Sequence, residues 1–109
     1  MVFNHHKLEY LGLGDGLSYG VFPDEVVTGE KLFPAFVTIP PQTICDELVP
    51  HAGEDLCLVL EGEIEIRIKD ESYTVKTGYV AHYRARFPHS VSNRTDNYAK
   101  IFVVKYPAY

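Results

Sequence analysis

From Glu63 to Lys69 the chain reads EIEIRIK, with Ile64, Ile66 and Ile68 alternating against Glu63, Glu65 and Arg67. That period of two is the mark of a strand with one buried and one wet face. Just upstream, Leu56–Leu60 (LCLVL) is apolar at both parities, and so is most of Lys100–Tyr106 (KIFVVKY). The same reading predicts further short strands at Leu17–Phe22, Ala35–Ile39, Thr43–Leu48, Ser72–Lys76, Tyr79–Arg84, Ser90–Asn93 and Ala99–Tyr106. Turn signals separate them at Gly12–Gly16, Phe22–Glu25, Thr28–Lys31, Pro40–Gln42, His51–Glu54, Lys69–Ser72, Lys76–Gly78 and Arg86–His89. No stretch of useful length carries a helical period. Many short strands at this spacing predict an all-β sandwich or small barrel.

Parity assigns the faces. In the segment starting at Asp55, the side chains of Asp55, Cys57 and Val59 point one way and those of Leu56, Leu58 and Leu60 the other. Both sets are mostly apolar, so this strand is expected to be covered on both sides. One small barrel does not cover the outside of its own sheet. The cover is expected from a second copy of the chain, as a homodimer, or from residues 8–22 laid over the outer face.

The chain has 109 residues, enough for one domain with a modest core. Acids outnumber bases 15 to 10, for a formal net charge of −5, which argues against direct nucleic-acid contact by this chain. No apolar run approaches a membrane span, and MVFNHHKLEY lacks the apolar core of a signal peptide, so a cytoplasmic setting is expected. Cys45 and Cys57 stand in no CxxC spacing and are read as free thiols in the core. His5 and His6 are read as part of a mobile tail.

One feature breaks the apolar pattern. His51, Glu54 and Asp55 lead straight into LCLVL. If Asp55 faces inward, it sits at the end of a core strand near the barrel mouth, and His51 can reach the same space across the Ala52–Gly53 turn. His89 follows in FPHSVSN, with Asn93 four residues on and at the same parity. Two imidazoles and a carboxylate make a facial set of three N/O ligands suited to Zn, Fe, Mn, Ni or Cu. The alternative is a hydrogen-bonded His51–Asp55 pair, with His89 a satisfied core histidine.

These positions resemble the two cupin motifs, G-x5-H-x-H-x3,4-E-x6-G and G-x5-P-x-G-x2-H-x3-N. Asp55 and Gly62 stand at the E-x6-G positions and His51 at the second histidine; Gly78, His89 and Asn93 match the second motif in register, with Pro88 before the histidine. Departures are Thr43 for the first glycine, Val49 for the first histidine, Asp55 for the glutamate, and Arg84 and Arg86 for proline and glycine. The resemblance implies a double-stranded β-helix, the jelly-roll cupin barrel, over about residues 36–106. Residues 8–33 would add N-terminal strands within one domain spanning 1–109, and pairing into dimers through the outer sheet is implied too. It also implies a degenerate metal site, at most His51, Asp55 and His89. The phrasing is closest to the C-terminal sensor domain of helix-turn-helix–cupin regulators. The chain has no helix-turn-helix pattern, so it is expected to be either a sensor domain separated from its DNA-binding half or a stand-alone relative.

Two functions follow as expectations. The first is a ligand-sensing module for a small polar or anionic molecule, its pocket ringed by Glu54, Cys57, Tyr83, Arg84, Arg86 and Asn93 beside the histidines. Arg84 and Arg86, two apart, would grip the anion; the bland reading makes them two solvated arginines. Tyr73, Tyr79, Tyr98 and Tyr106 would join Tyr83 in the wall and rim, and His82 would face an interface. The second is a metal-dependent enzyme of the dioxygenase, isomerase or lyase kind, using His51, Asp55 and His89.

Overall fold

The computed structural model describes residues 4–14, 17–21, 32–45, 47–48 and 50–107. Its strands are β1 (Glu9–Gly14), β2 (Leu17–Val21), β3 (Phe33–Ile39), β4 (Glu54–Glu61), β5 (Glu63–Ile68), β6 (Glu71–Lys76), β7 (Val80–Arg84), β8 (His89–Ser92) and β9 (Ala99–Tyr106). They form a six-stranded sheet ordered β1-β2-β3-β9-β4-β7 and a three-stranded sheet ordered β6-β5-β8. The fold is the jelly-roll barrel that the strand pattern and the motif register predict.

Gly62 is the corner where the chain changes sheets. It separates β4, in the large sheet, from β5, in the small one, and its φ is +75°. A Cβ there would meet the Tyr98 carbonyl oxygen at 2.6 Å, so only glycine makes this turn. The alternation read from sequence then fills the space between sheets: Ile64 and Ile66 from β5 meet Cys57 and Val59 from β4 and Ile101 from β9 in one buried cluster. Burying each of the larger aliphatic side chains contributes about 1.5–3 kcal/mol.

Several expectations are corrected. β1 occupies a stretch read partly as turn, and it pairs with β2 from Glu9↔Val21 to Gly14↔Leu17. Both strands extend the large sheet sideways beyond β3, so residues 9–14 and 17–21 are not laid over its outer face. Thr43–Leu48 does not form the expected strand; only Thr43 pairs, as an isolated bridge to Asn93, and Asp46 lies outside the described residues. His5 and His6, read as part of a mobile tail, lie in a 3-10 turn, His5–Lys7. The turns expected at Phe22–Glu25 and Thr28–Lys31 lie outside the described residues. Among the described residues no helix is long and apolar enough to cross a membrane.

Candidate metal centre

Asp55 is the second residue of β4 and points into the barrel with Cys57 and Val59, at 2 %, 1 % and 0 % exposure, as parity predicts. His89 opens β8 on the facing sheet and is also buried. His51 comes from the loop before β4, which is pinned to the segment after β7: His51 N donates to Ala85 O at 2.9 Å, and Ala85 N to Gly53 O at 2.9 Å. Gly53 makes this return with φ +86°, and a Cβ would lie 2.7 Å from the Tyr106 carbonyl oxygen. Three distant stretches of chain thereby bring His51, Asp55 and His89 together, with one ligand atom from each lying within 4.8 Å of the others.

The hydrogen bonds fix what those atoms can do. His89 Nδ1 lies 2.8 Å from the Phe87 carbonyl oxygen and His51 Nδ1 3.0 Å from that of Ala52. A carbonyl only accepts, so both Nδ1 atoms donate, and a neutral ring is left with a lone pair on Nε2. Those two Nε2 atoms face the same oxygen, Asp55 Oδ2, at 3.1 Å for His51 and 3.5 Å for His89. Three lone-pair groups converging around a buried carboxylate repel one another unless positive charge sits among them. Two ring protons would provide it; so would one metal ion.

A second observation favours the ion. Asp55 Oδ1 is buried without a hydrogen bond of normal geometry among the described residues, although the Tyr83 phenol lies close enough to the carboxylate to interact with it. A His51–Asp55 pair alone explains neither that oxygen nor the approach of His89. Ligands about 2.0–2.2 Å from a shared ion stand about 3–3.5 Å from each other, as both Asp55–histidine distances do, so aspartate, though a methylene shorter than glutamate, reaches far enough here; the 4.8 Å spread of the group would narrow by a small ring movement around an ion. Backbone carbonyls holding both Nδ1 atoms are the usual outer support of metal-bound histidine. The residues fit one divalent ion.

The group lines a cavity of about 550 Å3, walled by Phe33, Ala35, Val37, Val91 and Val103 and rimmed by Cys45, Glu47 and Lys105. Tyr83 stands in its wall, its ring centroid 5.0 Å from that of His89. Burial, then the nearby Asp55 carboxylate, pushes the Tyr83 phenol far up, so it stays protonated.

The other expected ligand residues lie elsewhere. Cys57 is sealed in the core one step below Asp55, and burial, with Asp55 second, pushes its thiol up to about 12; it packs in the core, as its reading as a core thiol expects, and does not line the cavity. Asn93 is wholly buried, its amide nitrogen donating to the carbonyls of Ile39, Pro40 and Asn97 while its oxygen accepts from Thr95. That makes it a clamp between loops with no valence left for a ligand. Arg84 and Arg86 alternate with the buried Tyr83 and Ala85, so their parity turns them outward into a separate open hollow shared with Glu54. Glu54 accepts from or pairs with His82 Nε2 at 3.1 Å on the outer face. Tyr73, Tyr79, Tyr98 and Tyr106 are also exposed rather than in the pocket wall. Cys45, expected in the core, is exposed at the cavity rim. Phe33, Cys45, Glu47 and Lys105 were not among the expected pocket residues. For Lys105 a signal existed, because it shares the parity of Val103 and of buried Ile101.

Comparison with known proteins agrees with this architecture. A predicted oxalate decarboxylase from Thermotoga maritima superimposes with a TM-score of 0.78 at 19% identity, over 98% of this chain and 99% of that one. Hydroxypropylphosphonic acid epoxidase from S. wedmorenis gives 0.75 at 22% identity, over 97% of this chain and 59% of that one. In sequence, the HTH-type transcriptional regulator PuuR of Escherichia coli (strain K12) is 33% identical over 72 residues, 66% of this chain. The chain spans about two fifths of the length of that curated relative (39%). The family described as Cupin domain matches residues 35–105, the stretch that carries the small sheet, the large sheet without β1 and β2, and all three of His51, Asp55 and His89, and the chain belongs to that family.

Proposed function

We propose that this barrel is a metal-centred binding module for a small molecule. His51, Asp55 and His89 hold one divalent transition ion, and the adjoining cavity takes the ligand. The observation that carries the reading is the pair of Nε2 atoms aimed at one Asp55 oxygen while both Nδ1 atoms are committed to carbonyls. An ion held by three protein groups keeps coordination positions open, and there it would supply Lewis acidity or oxygen activation. Tyr83 and the apolar wall exclude water and orient what enters.

As a sensor, the module would couple ligand binding to loop or dimer geometry. The relation to PuuR, a transcriptional regulator, supports that role because the likeness covers the greater part of this chain. A second reading is a metal-dependent enzyme of the dioxygenase, isomerase or lyase kind. Two histidines and a carboxylate with open positions are the usual set for non-haem Fe(II) oxygen chemistry, and one of the solved relatives of the barrel is described with Fe(II). The two free thiols agree with a reducing, cytoplasmic setting.

Oxygen uptake by the Fe(II)-loaded protein, with NMR analysis of the same mixtures for isomerised or cleaved product, separates the readings across a panel of small carboxylates and phosphonates. The sensor reading expects melting shifts with selected compounds and neither uptake nor product above the His89→Ala background. Sustained uptake or product above that background would transfer the conclusion to the enzyme reading.

A further inference from the structure

We infer that Lys105 is the anion-recognising residue of the cavity and that the ligand is a small carboxylate with a short apolar body. This rests on the cavity being the ligand site, as above, and adds the class of molecule it takes. The argument starts from strand register. Phe33 pairs with Lys105, Lys105 with Asp55, and Asp55 with Tyr83, so four residues form one straight row across β3, β9, β4 and β7. Directly opposed residues of antiparallel strands share a face. Asp55 and Tyr83, at 2 % and 8 % exposure, define that face as the interior, and all four residues line the cavity.

Lys105 is thus a half-buried lysine on the inner face, beside apolar wall. Among the described residues its ammonium forms no ion pair, even with Asp55 in the adjacent position of the row. A lysine seldom faces a barrel interior without a partner. Both histidines approach only Asp55 Oδ2, and neither carboxylate oxygen forms an ion pair with the lysine, so its ammonium is left for an incoming anion. One row deeper, Ala35 and Val103 supply small apolar walls, which suit a short hydrocarbon body rather than a sugar or a polyol. The outward arginines, one of the two readings of which was an anion grip, do not line this cavity.

The test uses pentanoate and its uncharged counterpart pentanamide, titrated into Zn(II)-treated wild type, Lys105→Met and Lys105→Arg. Binding is followed by the NMR shifts of the Val37, Val91 and Val103 methyl groups, with bound zinc measured in every sample. Methionine keeps the apolar stem of lysine, so the barrel is expected to fold. The inference expects pentanoate to bind within the cavity and pentanamide at least about tenfold more weakly. Lys105→Met should lose at least about tenfold for pentanoate with zinc content unchanged, and Lys105→Arg should recover most of it. Equal binding of acid and amide, unchanged affinity in Lys105→Met, or pentanoate shifts confined to the Arg84–Arg86 hollow would each overturn it. A wild type that takes no zinc but still binds pentanoate through Lys105 would overturn the metal reading and leave this one standing.

Discussion

Asp55 and Cys57 sit two residues apart on one inward face and play opposite parts. The carboxylate faces two imidazoles, and the thiol below it is sealed from water. Burial first, and the Asp55 charge second, raise the Cys57 thiol from 9.0 to about 12. The folded state therefore disfavours the thiolate. Below 9.0 both states hold the proton and the contribution to stability is complete; between 9.0 and about 12 only the unfolded chain ionises, so stability falls as pH rises through that window. Denaturation midpoints measured across the window should fall less steeply for Cys57→Ala than for wild type. Alkylation of the native protein should modify Cys45, which is exposed, and reach Cys57 only on unfolding.

At the scale of elements, the site depends on loops that the strands hold in place. Asn93, at the end of β8, ties Ile39, Pro40 and Asn97 together through one amide group. Asn93→Ala leaves those buried carbonyls and the Thr95 donors without it, and should cost about 2 kcal/mol or more, seen as a lower melting temperature at unchanged metal stoichiometry. Loss of metal without loss of stability would instead make Asn93 part of the site. Much of this arrangement was legible in the sequence. The Ile64–Ile66–Ile68 alternation marks β5, and the parity of Asp55, Cys57 and Val59 marks the inner face of β4. The motif register singles out His51 and His89. β1 was obscured because Gly12 and Gly14 read as turn residues, whereas pairing with β2 keeps them in a strand. The inward face of Lys105 was readable from its parity with Ile101 and Val103, but its place beside Asp55 was not. It depends on the register of β9 against β4, set by contacts between residues about 50 positions apart, as in Asp55↔Lys105. Of the two readings of Arg84 and Arg86, an anion grip or two solvated arginines, the exposure set by the inward parity of Asp55 and its partner Tyr83 agrees with the second.

For the whole molecule, the two-sided apolar character of β4 leaves a surface to account for. β1 and β2 widen the large sheet and do not layer over it, and Leu56 and Val80 on its outer face are 41 % and 56 % exposed. Phe36 and Phe102 pack together on the same face, their centroids 4.7 Å apart. A second copy of the chain is the proposed cover, giving a dimer through this sheet. Sedimentation should then show a dimer for wild type and a folded monomer for Leu56→Asp. A monomeric wild type would remove the proposal.

The central claim is that His51, Asp55 and His89 form one metal site. Elemental analysis of untagged protein, wild type beside His89→Ala and after an offer of metal to both, tests it most directly. The account predicts near-stoichiometric divalent transition metal in wild type and its loss in the variant. Wild-type protein that stays metal-free, or a variant that binds as much metal, would contradict it and leave the triad as a proton-bridged core cluster.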